Sequence, residues 1–229
     1  MDVTTPGDAP AAPRTVLFDF DGVLVRGDSF EAFLRERLRR APWRWPLLVP
    51  VLPFMPLLLR SPRGKGLLAR LLLRVVTLGW SEPRYRRIAA DFGRRFAQRP
   101  GVFLRDGIHA LRCHLAAGDR VLIVSATEIT LLDAILDTIA LTGVERIASR
   151  VRSGRFGLRA DPHNYGAVKI RQLVAHGIAA PWDRAYSDAL PDLPLLAGAR
   201  RAVLVNPDAR TERVLRHALG ARLEVVGWS

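Results

Sequence analysis

The sequence is short of cysteine, of lysine and of long uninterrupted apolar runs, and each shortage excludes something. A single cysteine, Cys113, in 229 residues leaves no partner for an intrachain disulfide and no zinc-type spacing. It falls in a helical-looking stretch, Asp106 to Ala117, where a small buried apolar side chain is the expected role. The redox compartment stays open, leaning to the cytoplasm. No secretory leader is expected, because residues 1–13 mix Pro, Ala, Asp and Thr with neither a basic start nor an apolar stretch, the pattern of a disordered tail. No comfortable membrane span is expected either, since a bilayer needs roughly 20 apolar residues and the two apolar stretches present are too short or carry arginine. Aromatic residues do not interleave with basic ones in the way that stacks bases, so nucleic acid is not expected as a partner.

What is abundant is positive charge. The formal net charge is +13, from 35 basic against 22 acidic residues, and only two of the basic residues, Lys65 and Lys169, are lysines. Such a field attracts anions, whether a phosphorylated substrate or an anionic membrane surface. Against this background two acidic pairs stand out: Asp19 and Asp21, followed at once by Gly22, and Asp188 with Asp192. Carboxylates bunched at the ends of buried strands repel one another, so their clustering implies a cation or phosphate chemistry, with magnesium as first candidate.

The chain length suits one buried core with an insertion. Thr15 to Phe20 reads as a buried strand that ends at Asp-Gly. From Gly101 onward helices and strands alternate: helix Asp106 to Ala117, strand Arg120 to Val124, helix Glu128 to Ala140, strand Arg146 to Val151, helix Tyr165 to His176 and strand Arg184 to Ser187. Helix Leu193 to Ala199, strand Ala202 to Val205, helix Thr211 to Leu219 and strand Leu223 to Val226 complete the series. This pattern predicts an α/β fold with a mostly parallel sheet covered on both faces. Ligands of such sheets bind beyond the strand C-termini, where Asp19, Ser125 and Asp188 all fall. The expected division is a core of residues 14–27 and 100–229 with a helical cap over residues 28–99.

Within the cap, Trp45 to Leu59 is apolar and interrupted by Pro46, Pro50, Pro53 and Pro56, and a second apolar stretch, Leu67 to Trp80, contains Arg70 and Arg74. If Asp19 and Asp188 share a site, the chain between them must begin and end on one side of any membrane, which excludes a single span. A re-entrant hairpin or an interfacial helix pair remains, flanked by Arg35, Arg37, Arg39, Arg40 and Arg44 before it and Arg60, Arg63 and Lys65 after it. A helix pair buried in a soluble cap is the plainer alternative.

Phosphoryl transfer needs an in-line nucleophile, a proton donor for the leaving oxygen and positive charge around the phosphoryl oxygens. Asp19 can attack phosphorus, Asp21 can move protons, and Gly22 permits the sharp turn after the strand; a plain Asp-Gly turn is the bland reading. Ser125 and the following amide of Ala126 can bind phosphate at a helix N-terminus, although Ser125-Ala126-Thr127-Glu128 is also a capping-box pattern. Lys169 can neutralise nucleophile and phosphate, and an ordinary solvated lysine is the alternative. Asp188 is the best candidate for direct metal ligation, with Asp192 to orient it or bind through water; either could instead cap the next helix. His163 and Asn164 read as turn and cap, Asn206-Pro207-Asp208 as a turn, and His109 and His114 as helix residues without a ligand partner.

Asp19-Phe20-Asp21-Gly22-Val23, Ser125, Lys169 and Ser187-Asp188 with Asp192, in that order, resemble the four motifs of haloacid dehalogenase-superfamily phosphatases. Val23 stands where many members carry Thr. The resemblance implies a Rossmann-like core, a cap inserted after the first motif, an aspartyl-phosphate intermediate on Asp19, and magnesium held by Asp19, the Asp21 carbonyl, Asp188 and Asp192. It also implies phosphate binding by Gly22, Ser125, Ala126 and Lys169. Over nearly the whole chain, the helix Phe33 to Arg40, the Pro-broken segment, Thr77-Leu78-Gly79-Trp80-Ser81-Glu82 and Ala90-Asp91-Phe92 are similar to the bacterial phosphatidylglycerophosphatase C family. That similarity implies an anionic phospholipid substrate, phosphatidylglycerophosphate, and work on the cytoplasmic side of the inner membrane. The competing expectations are a soluble, cytoplasmic phosphomonoesterase resembling phosphoserine phosphatase and a catalytically silent binding protein. The oligomeric state is not readable from the sequence.

Overall fold

The computed structural model describes residues 13–229, so most of the expected N-terminal tail lies outside the described residues. Strand β1 (Thr15–Phe18) is followed by helices α1 (Ser29–Arg39), α2 (Met55–Leu59), α3 (Pro62–Val76), α4 (Glu82–Ala97) and α5 (Arg105–Ala116). Then come β2 (Arg120–Glu128), α6 (Ile129–Thr138), β3 (Glu145–Ser149), a small hairpin of β4 (Val151–Arg152) and β5 (Arg159–Ala160), and α7 (Ala167–Ala175). The chain closes with β6 (Trp182–Ser187), α8 (Leu193–Ala197), β7 (Ala199–Val205), α9 (Ala209–Leu219) and β8 (Leu223–Val226).

Six strands form one parallel sheet in the order β3-β2-β1-β6-β7-β8, as the helix–strand alternation predicts. Strand β1 lies between β2 and β6, with Leu17 opposite both Leu122 and Ala185. A central strand buried on both sides must be apolar throughout, and successive side chains must face opposite layers. Val16 and Phe18 accordingly enter one core with Phe33, Phe92 and Ile135, while Leu17 joins Trp182, Leu195 and Leu204 in the other. The chain runs from β1 outward to β2 and β3, then restarts at β6 and proceeds the other way to β8. That reversal makes the junction of β1 and β6 the switch point where a crevice forms at the strand tips.

Between β1 and β2 the described chain is helical. Helix α4 packs closely on α6, so closely that a Cβ on Gly93 would meet the Ala134 Cβ at 2.8 Å. The rings of Phe33 and Phe92 meet edge-on at 5.4 Å beneath α1 and α4. The proline-broken segment differs from the expected helix pair. Pro42–Leu47 and Val49–Phe54 are 3₁₀ turns and α2 has only five residues, because each proline lacks the N–H an α-helix needs and clashes with the preceding turn. Trp43, Leu52, Phe54 and Leu57 of this segment are more than half exposed. Arg44 anchors it: its guanidinium is buried, lies 4.7 Å from the Trp43 ring and 5.5 Å from the Trp80 ring, and donates to the Leu78 carbonyl at 3.1 Å.

Several local expectations change. Cys113 is exposed rather than buried, because it sits on the face of α5 turned away from the core that Leu111 enters. Strand β2 continues to Glu128 rather than ending at Val124, and the cap of α6 is Glu128, whose carboxylate accepts from the Thr130 and Leu131 amides. Ser125 is therefore not the helix cap. Among the described residues, no helix is long and apolar enough to cross a membrane.

Candidate active site at the strand tips

Asp19 leaves the tip of β1 with its amide donating to the Tyr186 carbonyl of β6 at 2.9 Å, so the backbone ladder itself fixes the carboxylate at the switch point. Its side chain is nearly buried, accepts from the Phe20 amide at 2.7 Å and lies 2.9 Å from Lys169 Nζ. Lys169, fully buried on α7, also donates to Asp192 Oδ2 at 2.7 Å, and the same oxygen accepts from Ser187 Oγ at 2.8 Å. Burial works to strip the lysine of its proton, but Asp19 and then Asp192 outweigh it and raise its pKa. An ammonium has three N–H donors, and these two carboxylates engage two of them. Burial raises the Asp19 pKa well above the usual carboxylate range, offset by Lys169 and reinforced by Asp192.

The chain then turns at Gly22, whose φ is +75°. A Cβ there would sit 2.1 Å from Asp188 Oδ2, so glycine both permits the left-handed turn and makes room for the second acidic motif. Asp188 is thereby brought beside the first motif. Burial, together with Asp192, pushes its pKa up to about 6. Asp192 precedes α8 but makes no side-chain cap bond. The capping alternative for it is replaced by the contact with Lys169.

Asp21 faces the other way, into a cleft of about 470 Å³ lined by Asp28, Phe30, Arg70, Ala126, Thr127, His163 and Tyr165 among others. Its Oδ1 accepts from the Ser29 amide at 2.8 Å and its Oδ2 from Thr127 Oγ1 at 2.5 Å, while the Thr127 and Ser29 hydroxyls lie 3.0 Å apart. Burial and then the charge of Asp28 push the Asp21 pKa up to about 7, against the opposing hydrogen bonds from Thr127 and Ser29. Ser125 is fully buried and accepts from the Thr127 amide at 3.0 Å. Of the expected phosphate-binding pair, it is Ala126 that lines the cleft.

The sequence reading missed Thr127, Ser29 and Asp28. Thr127 lies two residues beyond Ser125, where the pairing of β2 with β3 shifts register, so no regular strand period announces that it reaches Asp21. Asp28 caps α1 through the Glu31 amide at 2.7 Å, a role its position before a helix announces, but its nearness to Asp21 arises only in the folded chain. Asn164 is neither a turn nor a cap residue: fully buried, it donates from Nδ2 to the carbonyls of Ser125 and Ile147 at 3.0 and 2.9 Å, tying β2 to β3 behind the cleft. His114 is held by Asp119 and Tyr186 at 2.7 and 3.0 Å, away from any ligand cluster. Asp208 does cap α9, through the Thr211 amide.

The residues present suit magnesium. The donors are hard carboxylate oxygens: Asp19 and Asp192 meet on the buried Lys169, and Asp188 lies against the turn at Gly22 that follows Asp21. Among the described residues, no three His, Cys, Asp or Glu side chains are close enough to hold a metal by themselves. Asp19 and Asp188 would therefore hold the ion with the Asp21 carbonyl, water and substrate oxygens, in keeping with magnesium's habit of retaining water.

Known proteins resemble this chain in sequence and in fold. The "Probable phosphatase Rv3661" of Mycobacterium tuberculosis is 26% identical over 211 residues, covering 90% of this chain and 73% of that protein. "Phosphoserine phosphatase SerB1" of the same organism is 33% identical over 117 residues, 48% of this chain and 38% of that protein. A solved structure of a Bordetella pertussis protein of unknown function has the same fold, with a TM-score of 0.69 at 23% identity, covering 94% of this chain and 99% of that one. The family model of haloacid dehalogenase-like hydrolases matches residues 16–197, a span that contains both acidic pairs, Ser125 and Lys169, and the chain belongs to that family.

Proposed function

We propose that the chain is a magnesium-dependent phosphomonoesterase that works through an aspartyl phosphate on Asp19, with a small phosphorylated metabolite as its substrate. It is a phosphoric monoester hydrolase. The observation that carries this reading is the Asp19–Lys169–Asp192 chain of contacts beside Asp21: a buried carboxylate held in place by an ammonium with a further N–H to offer a phosphoryl oxygen. An Asp19 oxygen forms the bond to phosphorus as the ester P–O bond breaks, and Asp21 gives its proton to the departing alkoxide. Water then attacks the phosphorus, Asp21 takes its proton, and the bond to Asp19 breaks to release phosphate. Thr127 and Ser29 hold the Asp21 carboxylate toward the cleft throughout. Bound magnesium would supply positive charge to the phosphoryl oxygens and relieve the repulsion between Asp19 and Asp188. The similarity to a protein named as a phosphoserine phosphatase supports a small soluble phosphomonoester as the substrate.

A second reading, a lipid phosphate such as phosphatidylglycerophosphate met at the membrane surface, is favoured by one observation. The Pro-broken segment leaves Trp43, Trp45, Leu52, Phe54 and Leu57 each more than half exposed within one short stretch of chain, a density of apolar surface that suits an interface. Phosphate release from phosphoserine and other soluble monoesters, and from the lipid in detergent, with magnesium or with chelator, separates the readings. Activity of the wild type and a loss on the order of a thousandfold or more in Asp19→Asn is the expected result. Full activity in Asp19→Asn overturns the mechanism.

A further inference from the structure

Beside the catalytic cleft lies a second chamber of about 470 Å³, lined by Arg70, Arg74, Arg159 and Arg171 and by no acidic residue. Arg70, Ala160, His163 and Tyr165 line both spaces, so the two adjoin. We propose that this chamber holds a second phosphate of the substrate, free or in diester linkage, while the phosphomonoester is cleaved at Asp19. The proposal rests on the phosphomonoesterase reading and narrows its substrate class.

The arginines come from three separate elements. Helix α3 supplies Arg70 and Arg74, one turn apart on one face; β5 supplies Arg159 and α7 supplies Arg171. Like charges one turn apart on a helix repel, and only Arg159 has an acidic partner among the described residues, Asp161 at 3.1 Å. An anion in the chamber would relieve that repulsion. A planar carboxylate is satisfied by one bidentate guanidinium, whereas a tetrahedral phosphate offers oxygens in several directions, which suits guanidiniums converging from three elements.

The chamber is built, and is more than a solvated basic face. Thr77 Oγ1, at the end of α3, accepts from the Leu158 amide at 2.8 Å, and Glu82 accepts from the Ser153 amide at 2.7 Å, so the β4–β5 hairpin is fastened to the helices. Gly157 lies so close to Arg74 that a Cβ there would meet the Arg74 carbonyl at 2.4 Å. Those contacts bring Arg159 and Arg74 to the same wall. His163 and Tyr165 stack with parallel rings 5.7 Å apart and form the partition toward the catalytic cleft. Burial and the neighbouring Arg70 lower the His163 pKa, which keeps that wall neutral and leaves the arginines to set the charge.

The test compares kcat/KM for glycerol bisphosphate and glycerol phosphate in the wild type, in Arg74→Ser/Arg171→Ser and in Arg200→Ser, which removes an equal kind of charge at the start of β7. The bisphosphate is expected to be preferred roughly tenfold or more by the wild type, through KM, with the preference falling to within about twofold in the double variant and surviving in Arg200→Ser. Thermal melting checks folding; should the double variant unfold, the Arg74→Ser and Arg171→Ser single variants are each expected to reduce the preference. No preference in the wild type, a preference untouched by the chamber variants, or one lost equally in Arg200→Ser overturns the chamber. Hydrolysis of no phosphomonoester at all, including p-nitrophenyl phosphate, instead overturns the phosphatase reading beneath it. A further arm uses a diacyl lipid whose head group carries a phosphodiester and a terminal phosphomonoester, dispersed in detergent. A higher kcat/KM on the lipid than on glycerol bisphosphate identifies the second phosphate as a lipid diester, and the reverse identifies a soluble bisphosphate.

Discussion

The strand tips and the Pro-broken segment solve opposite problems. At the tips, charge is buried: Asp19, Lys169 and Asp192 are nearly or fully enclosed and hold one another with contacts of 2.7 to 2.9 Å. In the Pro-broken segment, apolar surface is left outside: Phe54 is 59% and Leu57 67% exposed. Neither arrangement is what stability alone would select, since buried charge carries a desolvation cost and exposed leucine forgoes burial. The difference lies in what each needs from its neighbours. The tips are over-determined by hydrogen bonds from β1, β6, α7 and the turn at Gly22, whereas the segment is tied to the body by the buried Arg44 and by the close approach of Leu58 to Gly64 of α3, with most of its apolar side chains left outside.

The comparison is broken most sharply at Lys169. Lys169→Met removes the cation and leaves Asp19 and Asp192 buried together, so phosphatase activity is expected to fall on the order of a thousandfold while stability drops by about 3–5 kcal/mol. Both are read on one preparation, by phosphate release and denaturant unfolding. A variant that loses activity yet keeps wild-type stability would show that the buried charges are not mutually dependent. Gly22→Ala attacks the same cluster sterically. With φ at +75° and Asp188 Oδ2 2.1 Å from the new methyl, the turn or Asp188 must move, and a displacement of this size is expected to lower kcat roughly a hundredfold.

The two regions also differ in how much of them the sequence discloses. The core is legible because each strand is a short apolar run and each acidic motif follows one directly, so the strands from β1 to β8 that carry Asp19, Ser125 and Asp188 fall close to their expected places. The β4–β5 hairpin is invisible, since Val151–Arg152 and Arg159–Ala160 are two residues each, too short for any period. Thr127, Ser29 and Asp28 escape for a different reason. Their bearing on Asp21 is a meeting of β1, α1 and β2 in space, and local pattern carries only their strand or cap roles. Cys113 shows the limit of composition: a residue type usually buried lies exposed because the helix period turns it outward.

Within the insertion the contrast is one of packing, and substitution of apolar residues sharpens it. Phe92 is fully buried on α4 against Phe33, so Phe92→Ala is expected to cost about 3–5 kcal/mol. Leu52→Ser/Phe54→Ser alters as much apolar surface in the segment but is expected to change stability by no more than about 0.5 kcal/mol per site. Denaturant midpoints decide between these. A large loss in the double variant would mean that the exposed face is packed after all, and it would remove the observation that favours a lipid surface.

The smallest expected effect lies at the far end of the sheet and tests whether over-determination extends away from the site. Asp119 is nearly buried and accepts from Arg14 at 2.9 Å and His114 at 2.7 Å. Burial tends to raise its pKa, but the hydrogen bonds from Arg14 and then His114 prevail and lower it. A carboxylate whose folded pKa is depressed contributes stability that is fully present above its unfolded value, near pH 4, and is lost as pH falls through the lower folded value. Asp119→Asn is therefore expected to lower the melting temperature at neutral pH and to converge with the wild type in acid. Parallel melting curves across that range, with a constant gap, would show that Asp119 acts through shape rather than charge, and the dense ionic pairing of the strand tips would then be a property of the catalytic end alone.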